Sequence, residues 1–379
     1  MNDNGNKRQI FRFTPILTEQ CNLACKYCYV KDNPKMMSIE TFRLLIKQAE
    51  LKILDNFNVN IDLFGGEPLL LWKNGDLKLM IEAVVELEKK YPRRVRAIIF
   101  TNSVLLDYDI LNFTRPLGCI HYNFSMDGCK EAHDFGRIHH DGSGSFEEVN
   151  EGIRKYCEVY GVDRTHISTK SMIAPSNLHF VMKNVKYLLS IGVTKIDMAL
   201  VREAIWTDED VIKYEEVIRE LANWYADNID LGLWCDLFAI PLLDFTYQSR
   251  TFCGAGVRQW GISPDGDIYP CQRFYNNRSP FKMGDLEKGL YIKSSWSIFF
   301  QNYSAKNFNG CSTCDTFKDY NCLGQCVASM WEDSGTKFKC ISNVCKLHKI
   351  NYKVARELEA KLKGNPNWEK TIDPASYGG

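Results

Sequence analysis

No stretch of this 379-residue chain approaches the roughly 18 consecutive apolar residues that a membrane-spanning helix needs. The N-terminal segment MNDNGNKRQIF has no apolar core of the secretory type. Net charge is missing as well. The 47 Lys plus Arg balance 47 Asp plus Glu, so no global positive field draws the chain to nucleic acid or an anionic membrane. Internal repeats, low-complexity tracts and long linkers are absent, and 45% hydrophobic with 25% charged residues excludes disorder as the main state. Together these absences predict a cytoplasmic globular protein with no nucleic-acid and no membrane partner.

What the chain has in plenty is cysteine, fifteen residues in all. Disulfides are rare in the reducing cytosol, so this many thiols point to metal or redox chemistry, or to buried Cys used as small hydrophobes. Spacing has to decide between them.

Periodicity sets the architecture in which those thiols sit. Short apolar runs at 11–17, 59–64, 95–100, 120–125, 166–173 and 195–201 read as strands, and amphipathic stretches at 38–54 and 77–91 read as helices between them. Ser38 and Glu40 mark the start of the first helix. This βαβα alternation predicts an α/β fold with a parallel sheet, a partial (β/α)6 TIM-like barrel, with a doubly wound sheet as the alternative. After a long helix at 208–228 the chain becomes loop-rich and cysteine-dense. ISPDGDIYPC reads there as a hairpin turning at Pro264-Asp265-Gly266, and a last helix at 346–363 stops before Gly364-Asn365-Pro366. The expected division is therefore 1–230 and 231–379, the second part a small cysteine-rich α+β domain packed against the first.

The sharpest local feature is Cys21-x3-Cys25-x2-Cys28, just after the first strand. Three thiolates this close can surround one metal centre. Structural zinc takes four protein ligands in paired spacings, whereas iron–sulfur clusters accept tight Cys runs; three thiolates on a four-iron cluster leave one iron open to a substrate. Read alone, the motif still allows a zinc half-site. Gly65-Gly66-Glu67-Pro68 follows the second strand, Thr101-Asn102-Ser103 ends the third, and Ser125-Met126-Asp127-Gly128 ends the fourth, with Arg137 shortly after. All lie at C-terminal ends of strands, the face that carries the active site in barrels.

This order of motifs resembles the radical S-adenosylmethionine (SAM) enzymes, with CxxxCxΦC, aromatic Tyr27 at Φ, and the GGEP element. The resemblance implies that Cys21, Cys25 and Cys28 hold a [4Fe-4S] cluster whose open iron binds SAM. It implies further that Gly65, Gly66 and Glu67 hold the SAM amino group through backbone groups, that Tyr27 lies near the adenine, and that Ser125 and Arg137 contact ribose and carboxylate. Asn102 falls where the family shows TNG, and Ser103 departs from it. The implied chemistry is reductive cleavage of SAM to methionine and a 5′-deoxyadenosyl radical, which takes a hydrogen atom from an unactivated C–H bond. The cofactor supplies the hard step and the protein supplies positioning.

A second series, Cys253, Cys271, Cys311, Cys314, Cys322, Cys326, Cys340 and Cys345, fills the C-terminal part. Eight thiolates are enough for two four-Cys sites, and paired zinc ribbons are the alternative. The spacing resembles the SPASM domain, with a gap of seven residues between Cys314 and Cys322 that is longer than the family's usual one. By that resemblance one auxiliary cluster takes Cys311, Cys314, Cys322 and Cys345, and the other takes Cys253, Cys271 and Cys326. Cys340 either closes the second site or leaves an iron open to a substrate thiolate. Three [4Fe-4S] clusters would put about 12 iron on each chain. Cys119, Cys129, Cys157 and Cys235 read as packing residues.

SPASM precedent favours a peptide or protein substrate, with a reductant such as flavodoxin or ferredoxin as electron source. Two enzyme readings follow. One is a maturase that installs a thioether or other cross-link in a ribosomally synthesised peptide. The other is an anaerobic sulfatase-maturating enzyme that converts Cys or Ser to formylglycine; that family carries an Asp after the hairpin Cys, where this chain has Gln272, which cannot act as a carboxylate base. A winged-helix leader-binding domain of roughly 80 to 100 residues would not fit ahead of Cys21. A non-catalytic iron–sulfur or zinc scaffold is the reading from another class.

Overall fold

Strand formation follows the period-two pattern of side chains. In Val95–Thr101 every second residue, from Val95 to Thr101, is buried while Arg96, Ile98 and Phe100 are half-buried, so one face meets helices and the other faces the concave side of the sheet. The computed structural model describes residues 8–30, 33–161, 167–242, 253–276, 280–291, 295–302, 311, 313–320, 322, 324–334 and 342–372. Its strands are β1 Ile10–Pro15, β2 Asn58–Leu63, β3 Val95–Thr101, β4 Ile120–Ser125, β5 Ser168–Ile173, β6 Lys195–Leu200, β7 Trp234–Cys235, β8 Gln259–Ile262, β9 Asp267–Tyr269, β10 Gly284–Asp285 and β11 Gly289–Leu290. They form one sheet in the order β11-β10-β9-β8-β1-β2-β3-β4-β5-β6-β7. Every pair from β1 to β7 is parallel, as βα alternation requires.

The six strands read from the sequence are all present, each within two residues of its expected limits. His166, in the expected fifth strand, lies outside the described residues. Two features go beyond expectation. The short strand β7 adds a seventh parallel member, and β8 pairs parallel with β1, Phe13 opposite Trp260. The cysteine-rich part therefore continues the same sheet. The hairpin is as expected: β8 and β9 are antiparallel, and Gly266 takes φ +88°, a left-handed turn position that favours glycine.

The outer face is apolar. Phe11 and Phe13 stand edge-on to Trp260, with ring centroids 4.9 and 5.6 Å away, and Ile61, Ile99 and Phe124 are fully buried on the same side. Each such side chain contributes roughly 1.5–3 kcal/mol on burial. The helix Ile39–Leu54 lies over them through Phe42, Leu45, Ala49 and Ile53, and its first turn is capped by Ser38, which accepts a hydrogen bond from the Thr41 amide at 3.1 Å. The concave face is polar, with Arg12 3.7 Å from Asp62 and Lys170 2.7 Å from Asp197.

The last long helix, Ser342–Leu362, returns to the first part of the chain. It lies along the helix Asp208–Asp227, joined by Tyr214 donating to Asn351 at 2.8 Å and by ion pairs Arg219–Glu357 and Lys346–Asp208, each 2.6 Å. Val344, Leu347, Ile350, Val354 and Leu358 are buried on one stripe. Replacing the fully buried Leu347 by Ala should cost about 2–5 kcal/mol, read as a fall in the denaturation midpoint at unchanged slope.

Candidate functional site

The loop bearing Cys21, Cys25 and Cys28 is held on both sides by backbone hydrogen bonds. On one side the amides of Gly66 and Glu67 donate to the carbonyls of Thr18 and Gln20, at 2.7 and 2.8 Å. On the other, the amides of Ala24 and Lys26 donate to Ile138 and Gly136, at 2.7 and 2.9 Å. The two glycines are required by this closeness. A Cβ on Gly65 would stand 2.2 Å from the Thr18 carbonyl oxygen, and one on Gly66 would stand 2.0 Å from that of Gln20. Their bare faces thus meet the cysteine loop itself.

The three thiols share one environment. Burial pushes all three up; Cys21, with the Glu67 charge and the other two sulfurs adding to burial, is pushed up to about 12. The Leu23 amide donates to Cys21 Sγ at 3.4 Å, and Asn102 Nδ2 lies 3.8 Å from the same sulfur. Donors aimed at sulfur suit a metal-bound thiolate, and binding a metal would release the thiol protons.

Glu67 is held by three donors. Its carboxylate accepts from the amides of Asn102 (2.7 Å) and Leu69 (3.0 Å) and from the Thr101 hydroxyl (2.8 Å), tying the turn after β2 to the end of β3. Burial nevertheless pushes this carboxyl up to about 7 against those three donors. Next to it, Ser103 has φ +59°, in the left-handed region. The departure from TNG is thus one of residue and not of conformation: Ser103 takes the backbone form that Gly takes freely. Hydrogen bonds from its hydroxyl to the carbonyls of Asn102 and Val149, at 2.8 and 3.0 Å, fix it there.

Tyr27 and Arg137 meet on Asp127, the third residue of Ser125-Met126-Asp127-Gly128. Asp127 is fully buried; one oxygen accepts from the Tyr27 hydroxyl, and the other accepts from Arg137 Nη2 at 3.0 Å and the Met172 amide at 2.9 Å. Arg137, 6% exposed, also donates to the Lys170 carbonyl at 3.1 Å, and its guanidinium stands 5.4 Å from the Tyr27 ring centre. In this conformation Arg137 is committed to Asp127. Its one remaining buried donor, Nε, has no hydrogen-bond partner among the described residues. Ser125 ends β4 half-buried in the same wall.

The second cysteine series divides in space. Cys311, Cys314, Cys322 and Cys345 line one cavity together with His348 and Lys349. The segment Asp315–Tyr320 is helical, which is how the long gap between Cys314 and Cys322 is taken up. Cys314 is held below the ordinary thiol range: burial acts against this, but the amides of Phe317 and Thr316 and the Lys349 ammonium outweigh it. Cys253, Cys271 and Cys326 form the other group, close enough that burial and the charges of Cys326 and Cys253 both raise Cys271. Cys326 is lowered, because Arg202 and Arg273 overcome its burial. Cys340 lies outside the described residues. Cys119, Cys129 and Cys235 are buried and Cys157 is half-buried, as packing residues should be. Among the described residues no three His, Cys, Asp or Glu side chains are placed to hold a single metal ion. The donor set, thiols in groups of three and four, fits iron–sulfur clusters.

Comparison with known families agrees with this geometry. The radical SAM superfamily matches residues 16–174, and the SPASM iron–sulfur cluster-binding domain matches residues 253–316. The chain carries a radical SAM domain and a SPASM domain. The radical SAM cyclopropyl synthase TigE of Paramaledivibacter caminithermalis is 22% identical, over 90% of this chain and 73% of its own length. A serine-type anaerobic sulfatase-maturating enzyme of Bacteroides thetaiotaomicron is 22% identical, over 86% of this chain and 84% of its own. Among solved structures, anSMEcpe with bound AdoMet superposes with a TM-score of 0.76 at 18% identity, over 96% of this chain and 98% of that one. That likeness shows the fold, an α/β partial barrel. Among the described residues no helix is long and apolar enough to cross a membrane.

Within the radical SAM domain the motif residues do come together, but Asp127 is their hub. An acid two residues past a strand's C-terminal end was the available signal. For the SPASM cavity nothing in the spacing singled out His348 or Lys349. Two outcomes test the site. Gly66→Ala should fail to hold iron at the first cysteine set and lose at least about 2 kcal/mol of stability, because the clash is with backbone. A carboxyl raised in the folded state stabilises below its ordinary range and loses that contribution as pH rises towards 7. The stability of the wild type relative to Glu67→Gln should therefore fall between pH 5 and about 7, measured by urea denaturation at each pH.

Proposed function

We propose that this chain is an enzyme that uses SAM to take a hydrogen atom from a peptide substrate, installing a thioether or other cross-link in a ribosomally made precursor. The observation that carries the reading is the separation of one cysteine trio, at the C-terminal ends of parallel strands, from two further cysteine groups. When bound, a reduced cluster at the trio would supply the electron that cleaves SAM to methionine and a 5′-deoxyadenosyl radical. Cys21, Cys25 and Cys28 would hold it, and Asn102 and the Leu23 amide would donate to the Cys21 sulfur. Tyr27 and Arg137, braced by Asp127, would form the wall beside the nucleoside, with Ser125 at the end of β4. The other groups would hold two auxiliary clusters, giving three in all. An external reductant, flavodoxin or ferredoxin, would supply the electrons.

Gln272 favours a peptide maturase over a sulfatase-maturating enzyme. It follows the hairpin cysteine, and its amide oxygen accepts from Gln259 Nε2 at 3.2 Å. An amide in this place takes no proton, so the carboxylate of the sulfatase-maturating family has no equivalent there. The second reading is supported by the end-to-end superposition on anSMEcpe, a protein also solved with AdoMet and the Kp18Cys peptide.

After anaerobic reconstitution, dithionite and SAM should yield 5′-deoxyadenosine and methionine, and Cys25→Ala should yield neither above background. Equal background from both proteins would leave only a scaffold. Incubation with a CxPxR sulfatase-type peptide should give no formylglycine, checked by fragmentation mass spectrometry, while a Cys-bearing precursor from the same gene neighbourhood should acquire a localised cross-link. Formylglycine on the first peptide would establish the second reading.

A further inference from the structure

A charged row crosses the concave face of the sheet beside the wall proposed for the nucleoside. Strand register sets Ser125 on β4 opposite Lys170 on β5, and Lys170 opposite Asp197 on β6. Their chain neighbours Thr169, Ser171, Ile196 and Met198 are buried on the other face, so Lys170 and Asp197 turn to the concave side. There the Lys170 ammonium meets the Asp197 carboxylate at 2.7 Å, with 33% and 36% of the two side chains exposed. The pair is therefore within reach of a ligand. The backbone of Lys170 already belongs to the wall, since its carbonyl accepts from Arg137 at 3.1 Å.

Asp236 closes the row. Strands β6 and β7 pair with Ile196 opposite Cys235, which brings Asp236, the next residue, beside Asp197, and its carboxyl accepts from the Met198 amide at 2.7 Å. Asp236 is buried, and burial, with the Asp197 charge adding to it, holds its carboxyl well above the ordinary carboxylate range. It stays protonated and adds no charge. The row thus presents one cation and one anion side by side, an ammonium with three N–H donors of which Asp197 takes one, and a carboxylate with several acceptor sites. A charged ligand group of either sign would meet a like charge here. A neutral group that offers one donor and one acceptor meets none.

We infer that Lys170 and Asp197 together bind the main chain of one extended residue of a peptide substrate, Lys170 donating to its carbonyl oxygen and Asp197 accepting from its amide N–H. The inference deepens the peptide reading above and rests on it. In an extended chain the N–H and C=O of one residue point to the same side, as they do in the hydrogen-bonded pairs of an antiparallel ladder. The acceptor and donor that such a residue needs must therefore stand next to each other. A lysine and an aspartate in contact on adjacent strands supply both, and each bond is strengthened by the charge on the protein side. The row begins at Ser125 and passes through the residue that holds Arg137, so a peptide residue bound to it lies beside the wall proposed for the nucleoside. Asp236 and the Met198 amide back the pair from behind and need not touch the peptide.

The test measures binding of a fluorescein-labelled peptide to the reconstituted full-length protein with SAM, by fluorescence anisotropy, so that turnover is not required. The probes are the Cys-bearing precursor from the gene neighbourhood and the CxPxR peptide, and the one that the wild type binds is used further. Each of its residues is replaced in turn by the corresponding α-hydroxy acid, which exchanges the N–H for an ester oxygen. In the wild type one such replacement should raise Kd about tenfold or more, as expected for a lost hydrogen bond to a charged group. In Asp197→Ala the same replacement should cost nothing further, because its acceptor is gone. Lys170→Met should raise Kd for the unmodified peptide about tenfold, and Lys170→Arg, which keeps the donors, should recover most of that loss. Amide and ester forms are compared within each variant, so a general loss of stability or iron cancels. Ester penalties that are the same in the wild type and Asp197→Ala at every residue overturn the inference, as does a penalty that follows a charged side chain of the peptide instead of its main chain. A wild type that cleaves SAM but binds neither peptide refutes the peptide reading itself.

Discussion

The seam between the cysteine loop and the turn after β2 is the constraint on which the site depends. Two amides of the turn donate to two carbonyls of the loop, and the glycines bring the chains within a distance that any Cβ would forbid. Such contacts have little freedom to relax, because both sides are backbone. Once the seam has formed, the three sulfurs are placed relative to the ends of β1 and β2 without any side-chain choice. Glu67 then extends the arrangement to β3 by accepting from Asn102 and Thr101. One turn thereby couples three strand ends.

A second layer stands behind this one. Asp127 takes a hydroxyl, a guanidinium and an amide on its two oxygens, with no water-exposed surface. A buried ion pair is costly to assemble and still more costly to break, since either partner alone would be left charged and desolvated. The gain is specificity of position. Tyr27, two residues from Cys25, can occupy only the place that Asp127 and Arg137 leave for it, and bare Gly136 admits its ring, where a Cβ would come within 2.4 Å.

Much of the fold was legible because it rests on local periodicity. Strands β1 to β6 follow from alternation, and the first helix follows from Ser38 and its buried spacing. The cysteine groups were legible because metal ligands must come in tight spacing when a loop supplies them. What escaped had non-local causes. The pairing of β8 with β1 joins residues nearly 250 apart, and no pattern within either strand encodes it. Arg137 was legible as a motif residue, but its pairing with Asp127 joins two loops and appears only in the fold. His348 and Lys349 have no motif at all; their place beside four cysteines appears only when the terminal helix meets the loop of Cys311 to Cys322.

The place of β1 within the sheet has a consequence for biosynthesis. Its second neighbour, Gln259–Ile262, is made long after Ile10–Pro15, and at about 5–20 residues per second the delay runs to tens of seconds or less. Through that interval the nascent chain carries an open strand edge, bordered by the three thiols that most need protection from stray metal and oxidant. Unpaired edges invite association with other chains. The arrival of the hairpin covers that edge at the same moment as it delivers Cys271, so the sheet closes before the later cysteines, Cys311 to Cys345, have been made.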